Sequence, residues 1–161
     1  LPISPGLIRT EADELSYSLH VLIRYEIEKM LIEEDLDVEK LPQLWADKYE
    51  EYLGVRPENP AEGVLQDIHW SQGSFGYFPS YALGSAFGAQ LYYHMKEIMD
   101  FDGLLREGKV DVIRDYLREH IHQYGKLKDS RQILKDVTGE DFKPEYYVRY
   151  LKEKYSAVYG L

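Results

Sequence analysis

Apolar residues in the N-terminal part of the chain recur every three or four positions, which is the period of an α-helix. Their spacing predicts one long helix from about Pro5 to Glu34 and a second from about Leu41 to Leu53. Ser4 followed by Pro5 is a signal for a helix start, and Gly54 is a signal for a helix end. The apolar positions of the first helix are Ile8, Ala12, Leu15, Leu19, Leu22, Ile23, Ile27 and Met30.

The same helical period returns later in the chain. The intervening stretch VRPENPAEG contains two prolines and cannot continue a helix, so it is predicted to be a connecting loop. No alternating strand pattern competes with the helical one. The chain is therefore predicted to be all-α, a multi-helix array forming a single helical region over residues 1–161. The later helices are expected at about Pro79–Met99, Phe101–Glu107, Val110–Tyr124, Ser130–Thr138 and Pro144–Tyr159.

Composition narrows the classes of partner. The chain has 29 acidic against 19 basic residues and a formal charge of −10, which disfavours nonspecific binding to nucleic acid or to anionic membranes. There is no cysteine, so any metal would need His, Asp or Glu ligands, and a cytoplasmic location fits. No apolar run reaches the roughly 18 residues of a membrane span, and no signal-peptide pattern opens the chain.

Polar residues of the first predicted helix form one candidate site. Arg9, Asp13, His20 and Arg24 stand at offsets of four, seven and four residues, so they would share one polar stripe. A solvated face is the ordinary interpretation of such a stripe. Arg9, however, would lie on the first turns of the helix, where its guanidinium could bind a carboxylate through two hydrogen bonds. Asp13 also suits a helix N-terminus electrostatically, without any chemistry.

The segment GVLQDIHW forms a second candidate site. Gln66, His69 and Trp70 are about one helical turn apart, so on a short helix they would present an amide, an imidazole and an indole to one place. Asp67 could orient an imidazole or cap a helix. A hydrogen-bonded histidine in the core is the structural alternative for His69.

Two tyrosines follow on a glycine-containing stretch, SQGSFGYFPSY. The hydroxyl groups of Tyr77 and Tyr81 could donate to a developing oxyanion. They could equally be packing residues, since the chain has 15 tyrosines. The zinc-peptidase pattern H-E-x-x-H is absent, and His120 and His122 are two positions apart, a spacing that separates their side chains on a helix. The residues alone thus indicate a helical module with a polar cleft suited to a carboxylate.

Two motifs carry a resemblance to a known family. The segment from Ile8 to Glu14, IRTEADE, resembles the IRxEAD helix of the carboxypeptidase Taq family of zinc metallocarboxypeptidases. The segment from Gly63 to Trp70, GVLQDIHW, resembles the GxxQDxHW motif of that family, and FGYFPSYALG is similar to its continuation. The resemblance implies an all-helical peptidase that removes single residues from peptide C-termini. In such enzymes zinc polarises the scissile carbonyl and activates a water molecule.

The resemblance also implies what this chain contributes. The H-E-x-x-H region of the family precedes the IRxEAD helix and is not in this sequence, so the chain resembles roughly the last third of the catalytic domain. We therefore expect zinc in the parent protein, no metal ligands in this chain, and no activity from the chain alone. By resemblance, Arg9 would bind the terminal carboxylate of a peptide substrate, Gln66 and His69 would line the cleft, and His69 and Tyr77 are the candidate catalytic residues. Asp13, Asp67 and Trp70 would support them.

Two other functions stay open from the sequence. A degenerate or split-gene product would act as a helical module in peptide binding or protein interaction. A purely structural helical domain would use the polar cluster to stabilise its fold. A missing N-terminal portion would also leave apolar stripes exposed, which favours self-association into homo-oligomers.

Overall fold

The computed structural model describes residues 3–161, and its regular structure is helical throughout that range. No strand occurs in those residues, so the all-α prediction is confirmed. None of the helices in the described range is both long and apolar enough to cross a membrane. Seven α-helices are described: α1 (Glu14–Glu33), α2 (Leu41–Leu53), α3 (Pro79–Ile98), α4 (Phe101–Arg106), α5 (Val110–His120), α6 (Ser130–Thr138) and α7 (Glu145–Tyr159).

The predicted start of the first helix at Pro5 is wrong. Helix α1 begins at Glu14, because the carboxylate of Asp13 accepts hydrogen bonds from the backbone N–H groups of Leu15 and Ser16, both at 2.9 Å. Asp13 itself has extended backbone angles, φ −69° and ψ 163°, as an N-cap residue does. The side chain of Asp13 therefore sets the start of α1, although the apolar residues keep helical spacing on the N-terminal side of it.

The polar stripe predicted on this helix is also not observed. Arg9 lies before α1, in a short 3₁₀ turn spanning Arg9–Glu11. His20 and Arg24 do lie on α1, but both are completely buried rather than solvated. The residues of the predicted stripe thus enter the interior of the molecule from two different elements.

Most other helix ends agree with the prediction to within one or two residues. Gly54 ends α2 in the left-handed conformation, φ 68°, as expected for a glycine stop. The helix predicted over Val110–Tyr124 is shorter than expected and ends at His120. Ile121 leaves the helical region, with φ −128° and ψ −63°, and a separate 3₁₀ turn follows over His122–Tyr124.

The chain forms two compact units, one extending to Leu83 and the other spanning Gly84–Leu161. The prediction of one undivided helical region stays a prediction. In the first unit α1 packs against α2, and each large apolar side chain buried there stabilises the fold by about 1.5–3 kcal/mol. The buried core of this unit consists of Ile23, Ile27, Trp45, Tyr49 and Leu53.

The second unit uses buried polar groups of α3 to hold the chain that enters α7. The amide of Gln90 donates to the carbonyl of Asp141 at 3.1 Å and accepts from the backbone N–H of Lys143 at 2.9 Å. The hydroxyl of Tyr93 donates to the carboxylate of Glu153 at 2.6 Å. The residues of the two sequence motifs lie in the first unit, which therefore contains the candidate site.

Candidate functional site

Residues 54–78 connect α2 to α3 through a series of turns, and no helix forms there. The short helix on which Gln66, His69 and Trp70 would share a face is therefore not present, and this prediction is wrong. The carboxamide of Gln66 instead donates a hydrogen bond to the carbonyl of Ala61, and its side chain is exposed. Prolines and glycines in this segment favour turns over a helix, although the spacing of the three residues resembles a helical one.

The carboxylate of Asp67 is the centre of the site. Arg9 donates to one carboxylate oxygen from Nη2 at 2.7 Å, and Arg24 donates to the other from Nε at 2.6 Å. Burial favours the neutral acid, but the hydrogen bond from Arg9 and the charge of Arg24 outweigh burial and lower the pKa of Asp67. Two guanidinium cations and one carboxylate leave this cluster with a net charge of +1.

Arg9 is held by several partners although it precedes α1. Its Nε also contacts Asp67 at 3.2 Å, its Nη1 donates to the hydroxyl of Tyr17 at 3.1 Å, and its guanidinium lies over the ring of Tyr81 at 4.9 Å. Burial would lower the pKa of Arg9, but the hydrogen bond to Asp67 raises it, so the group stays charged. These described contacts use three of the five guanidinium N–H groups. In the described residues Arg9 binds the carboxylate of Asp67, and its contact with the terminal carboxylate of a substrate stays a prediction.

Arg24 is a site residue that the sequence did not identify as buried. Its Nη1 donates to the carbonyl of His20 at 2.8 Å and to the hydroxyl of Tyr49 at 3.0 Å, and its guanidinium lies 4.6 Å from the ring centre of Trp45. Burial, together with the charge of Arg24, lowers the pKa of His20 to about 4. His20 is therefore neutral near pH 7, and it adds no charge to the cluster.

His69 joins the cluster to the tyrosines. Its Nδ1 lies 3.8 Å from a carboxylate oxygen of Asp67, and its Nε2 lies 3.2 Å from the hydroxyl of Tyr81. Its ring packs on Phe78 with centroids 4.4 Å apart and lies 5.8 Å from the ring of Tyr77. The side chain of Tyr77 is half exposed. The structure thus brings Arg9 and Asp67 next to His69, with the two tyrosines at their edge.

Trp70 attaches the turn segment to α1. Its indole N–H donates to the carboxylate of Glu28 at 2.9 Å, and the backbone N–H of Gly76 donates to the same carboxylate. The indole ring also packs against Trp45 and Phe78, with centroids 6.0 and 5.9 Å apart. Glu28 is buried and was not identified from the sequence. It holds Trp70 and Gly76, which are the chain neighbours of His69 and Tyr77.

Asp13 serves α1 rather than the Asp67 cluster in the contacts that the structure describes. One of its carboxylate oxygens makes the N-cap hydrogen bonds described above. Its other carboxylate oxygen is buried and has no hydrogen-bond partner among residues 3–161. Asp13 therefore contributes to the site by fixing where the helix bearing His20 and Arg24 begins.

The described part of the chain contains no group of metal ligands. Among residues 3–161, no three His, Asp or Glu side chains lie close enough together to hold a metal ion. Asp67, the carboxylate nearest to His69, is already bound to two arginines. The described residues therefore do not fit a metal centre, and we assign no metal-dependent step to them.

Comparison with known proteins identifies similar chains. A family model described as carboxypeptidase Taq (M32) metallopeptidase matches residues 2–155. "Carboxypeptidase 1" of Bacillus subtilis (strain 168) is 51% identical over 158 residues, which cover 98% of this chain and 32% of that protein. "Thermostable carboxypeptidase 1" of Pyrococcus furiosus is 45% identical over 154 residues, covering 95% of this chain and 31% of that protein.

A solved structure shows the same arrangement of helices. The crystal structure of the M32 carboxypeptidase from Deinococcus radiodurans R1 matches with a TM-score of 0.94 and 32% sequence identity, covering 99% of this chain and 32% of that one. The chain thus spans about a third of the length of the relatives it matches.

Proposed function

The chain belongs to the carboxypeptidase Taq (M32) metallopeptidase family, and we propose that the protein it is part of hydrolyses single residues from peptide C-termini. The names of the relatives as carboxypeptidases support this activity. Because the chain spans only about a third of those relatives, we propose the activity for the whole protein and a narrower role for this chain. That role is to supply one wall of the substrate cleft.

The net positive charge of the Asp67 cluster is the observation that carries the proposal. An exopeptidase that removes C-terminal residues must recognise a free terminal carboxylate. We propose that Arg9 binds this carboxylate with the guanidinium N–H groups that do not contact Asp67 or Tyr17. Asp67 offsets one of the two arginine charges and leaves the other to attract an anion. Because the cluster is mostly buried, that attraction is screened less than at an exposed site.

The neighbouring residues then act on the last peptide bond. His69 and Tyr77 are the proposed catalytic residues, with the hydroxyl of Tyr77, a half-exposed residue, donating to the developing oxyanion. Gln66 is proposed to contact the substrate at the exposed rim of the cleft. Asp67 and Trp70 support this arrangement through the arginine and Glu28 contacts. The third supporting residue, Asp13, acts by capping α1.

We further propose that the metal of the whole protein is zinc and that its ligands lie outside this chain. When bound, zinc would polarise the scissile carbonyl and activate water. The chain alone should then be inactive. Release of C-terminal residues by the purified 161-residue chain, together with about one zinc ion per chain, would contradict this proposal.

The location and assembly of the protein are also proposals. A cytoplasmic location fits the absence of cysteine from the sequence. Exposed apolar side chains near the site, including Leu65, Ile68 and Phe75, favour packing against the rest of the protein or against a second copy. We expect the chain alone to self-associate in light scattering, and a clean monomer would count against this.

A binding experiment tests the carboxylate site. The 161-residue chain is titrated by calorimetry with an N-acetylated dipeptide that has a free C-terminus, and with the C-terminal amide of the same dipeptide. We expect the free acid to bind and the amide not to bind. Arg9→Ala should weaken binding of the acid about tenfold or more, the loss expected for a charged hydrogen bond. Arg56→Ala is the matched control, because Arg56 pairs with Asp47 and Glu50 at the surface. Equal binding of acid and amide would refute the proposed site.

Peptide binding without hydrolysis is the second candidate function. It is favoured by one specific observation: the Asp67 cluster, with its net positive charge, is complete within the described residues. In this case the titration would still succeed. The protein made from the complete reading frame would then bind the dipeptide acid but release no amino acid from it.

A further inference from the structure

Tyr81 contacts three residues of the proposed site. It lies in the first turn of α3, and its hydroxyl is 3.2 Å from Nε2 of His69. The guanidinium of Arg9 lies over its ring, 4.9 Å from the centroid. Its ring also makes an edge contact with the ring of Tyr77, with centroids 5.3 Å apart and an angle of 83° between planes. From the sequence, this tyrosine was a candidate only for donation to an oxyanion or for packing.

We propose that Tyr81 is a positioning residue that holds the imidazole of His69 and the guanidinium of Arg9 in place for hydrolysis of the C-terminal peptide bond. This inference rests on the function proposed above. It adds a residue that is not expected to touch the reacting atoms itself. Tyr81 acts through His69 by hydrogen bonding and through Arg9 by its aromatic face.

We infer the direction of the hydrogen bond between Tyr81 and His69 from the charge next to Nδ1 of His69, which has no hydrogen-bond partner among residues 3–161. The nearest carboxylate oxygen of Asp67 is 3.8 Å from Nδ1, and a carboxylate bound to two arginines can only accept hydrogen bonds. The imidazole tautomer with hydrogen on Nδ1 therefore faces Asp67 most favourably. Its Nε2 then carries the lone pair and accepts a hydrogen bond from the hydroxyl of Tyr81.

The hydroxyl of Tyr81 is suited to this donor role. Burial and the neighbouring Tyr77 raise the pKa of Tyr81 above its usual value, so the hydroxyl keeps its proton at neutral pH. The backbone of α3 fixes the position of the ring. Tyr77 instead precedes α3 on the turn segment, and its side chain is half exposed.

The aromatic face of Tyr81 has a separate effect on Arg9. Asp67 holds the guanidinium through Nε and Nη2, and Tyr81 supports it from the side of its ring. A cation above an aromatic face is attracted to it, and the flat ring also limits tilting of the guanidinium plane. Loss of the hydroxyl and loss of the ring should therefore have different consequences.

Two variants separate these contributions. Tyr81→Phe keeps the ring beneath Arg9 and removes only the hydroxyl that contacts His69. Tyr81→Leu removes both. Tyr116→Phe is the matched control, because the hydroxyl of Tyr116 lies 3.1 Å from Nε2 of His94 in the second unit and thus forms an equivalent pair away from the site. Unfolding midpoints of all variants establish that each one folds.

Nuclear magnetic resonance of the 161-residue chain, labelled with ¹⁵N in histidine, gives the first readout. We expect the tautomer of His69 with hydrogen on Nδ1 to predominate in the wild type. In Tyr81→Phe the ratio of this tautomer to the other should fall about fivefold, the equivalent of a hydrogen bond of about 1 kcal/mol. Tyr116→Phe should change the signals of His94 and leave those of His69 as they are. An unchanged His69 ratio in Tyr81→Phe would overturn the proposal.

Steady-state kinetics of the protein made from the complete reading frame give the second readout. Tyr81→Phe should lower kcat about tenfold with little change in KM, because His69 is misplaced while Arg9 is still supported. Tyr81→Leu should in addition raise KM about threefold, because Arg9 loses its aromatic support. Wild-type values of kcat and KM in both variants would overturn the proposal. If the wild-type protein hydrolyses no peptide, the proposed function fails, whereas the tautomer ratio alone decides whether Tyr81 holds His69.

Discussion

Replacement of Asp67 by asparagine removes the charge at the centre of the site and changes its shape very little. The carboxylate accepts hydrogen bonds from Arg9 at 2.7 Å and from Arg24 at 2.6 Å, and the side chains of all three residues are at most 11% exposed. The amide of asparagine has one accepting oxygen, so its NH₂ group must face one of the two guanidinium groups. Asp67→Asn therefore leaves two buried cations without a counter-charge and adds one unfavourable donor–donor contact.

The expected cost follows from the burial of these groups. Removing one partner of a buried ion pair typically costs about 3–5 kcal/mol, because the remaining charge stays in a poorly solvated place. We expect Asp67→Asn to lie in this range. With a urea m-value of about 2 kcal/mol/M for a unit of this size, the unfolding midpoint should fall by about 1.5–2.5 M.

Tryptophan fluorescence is a suitable assay, because both tryptophans of the chain, Trp45 and Trp70, lie in the first unit. The signal therefore follows unfolding of the unit that carries the mutation. Asp47→Asn is the matched control. The Asp47–Arg56 pair has a similar distance, 2.7 Å, but Asp47 is 54% exposed, so its loss should cost less than about 1 kcal/mol. If Asp67→Asn costs no more than Asp47→Asn, the argument that Asp67 stabilises two buried arginines is wrong.

Three further predictions concern stability of the first unit. The pKa of His20 is about 4 in the folded chain and about 6.5 in the unfolded chain, so the unfolded state binds the proton more readily. The free energy of unfolding should therefore fall by about 2 kcal/mol from pH 7.5 to pH 5. In urea titrations at these two pH values, His20→Gln should reduce the difference. Asp13→Ala should cost about 1 kcal/mol through loss of the N-cap, whereas Asp13→Ser should retain most of it; equal urea midpoints for the two variants would contradict this. Glu28→Gln should lower the free energy of unfolding by about 1–3 kcal/mol, because the buried carboxylate accepts hydrogen bonds from both Trp70 and Gly76. Hydrogen exchange of the Gly76 amide should become faster, and an unchanged exchange rate would contradict the contact with Glu28.

Helices that end in a local signal could be predicted closely from the sequence. Gly54 ends α2 because it adopts a left-handed conformation that is easy only for glycine, and that information lies in one residue. The start of α1 was missed because two local signals compete. Ile8 and Ala12 have helical spacing with the apolar residues of α1. Asp13, however, accepts hydrogen bonds from the first N–H groups of the helix, so the helix begins after it.

The chemistry of the site could be predicted only in part. Arg9, Asp67 and His69 were identified through their motifs, but the pairing of Asp67 with Arg24 joins residues 43 positions apart, and no local pattern contains it. One signal was available. Arg24 is three residues before Ile27 and one after Ile23, so it lies close to the apolar face of α1, where a charged residue needs a buried partner.

The turn segment shows the opposite error. Gln66, His69 and Trp70 have helical spacing, yet they do not lie on a helix, because the shape of residues 54–78 is set by turns and by long-range contacts. The indole of Trp70 bonds to Glu28, which is 42 residues away. Spacing alone therefore could not place these side chains, and their common location depends on the packing of the segment against α1.

Hydrolysis by the protein made from the complete reading frame is the most direct test of our account. The substrate is an N-acetylated tripeptide supplied as the free acid and as the C-terminal amide, with zinc present, and release of the last residue is followed by chromatography. We predict release from the acid, little or none from the amide, and a KM for the acid that rises about tenfold or more in Arg9→Gln, since a hydrogen bond to a charged group contributes about 1.5–3 kcal/mol. Equal release from acid and amide, or an unchanged KM in Arg9→Gln, would contradict the assignment of this cluster as the site for the terminal carboxylate.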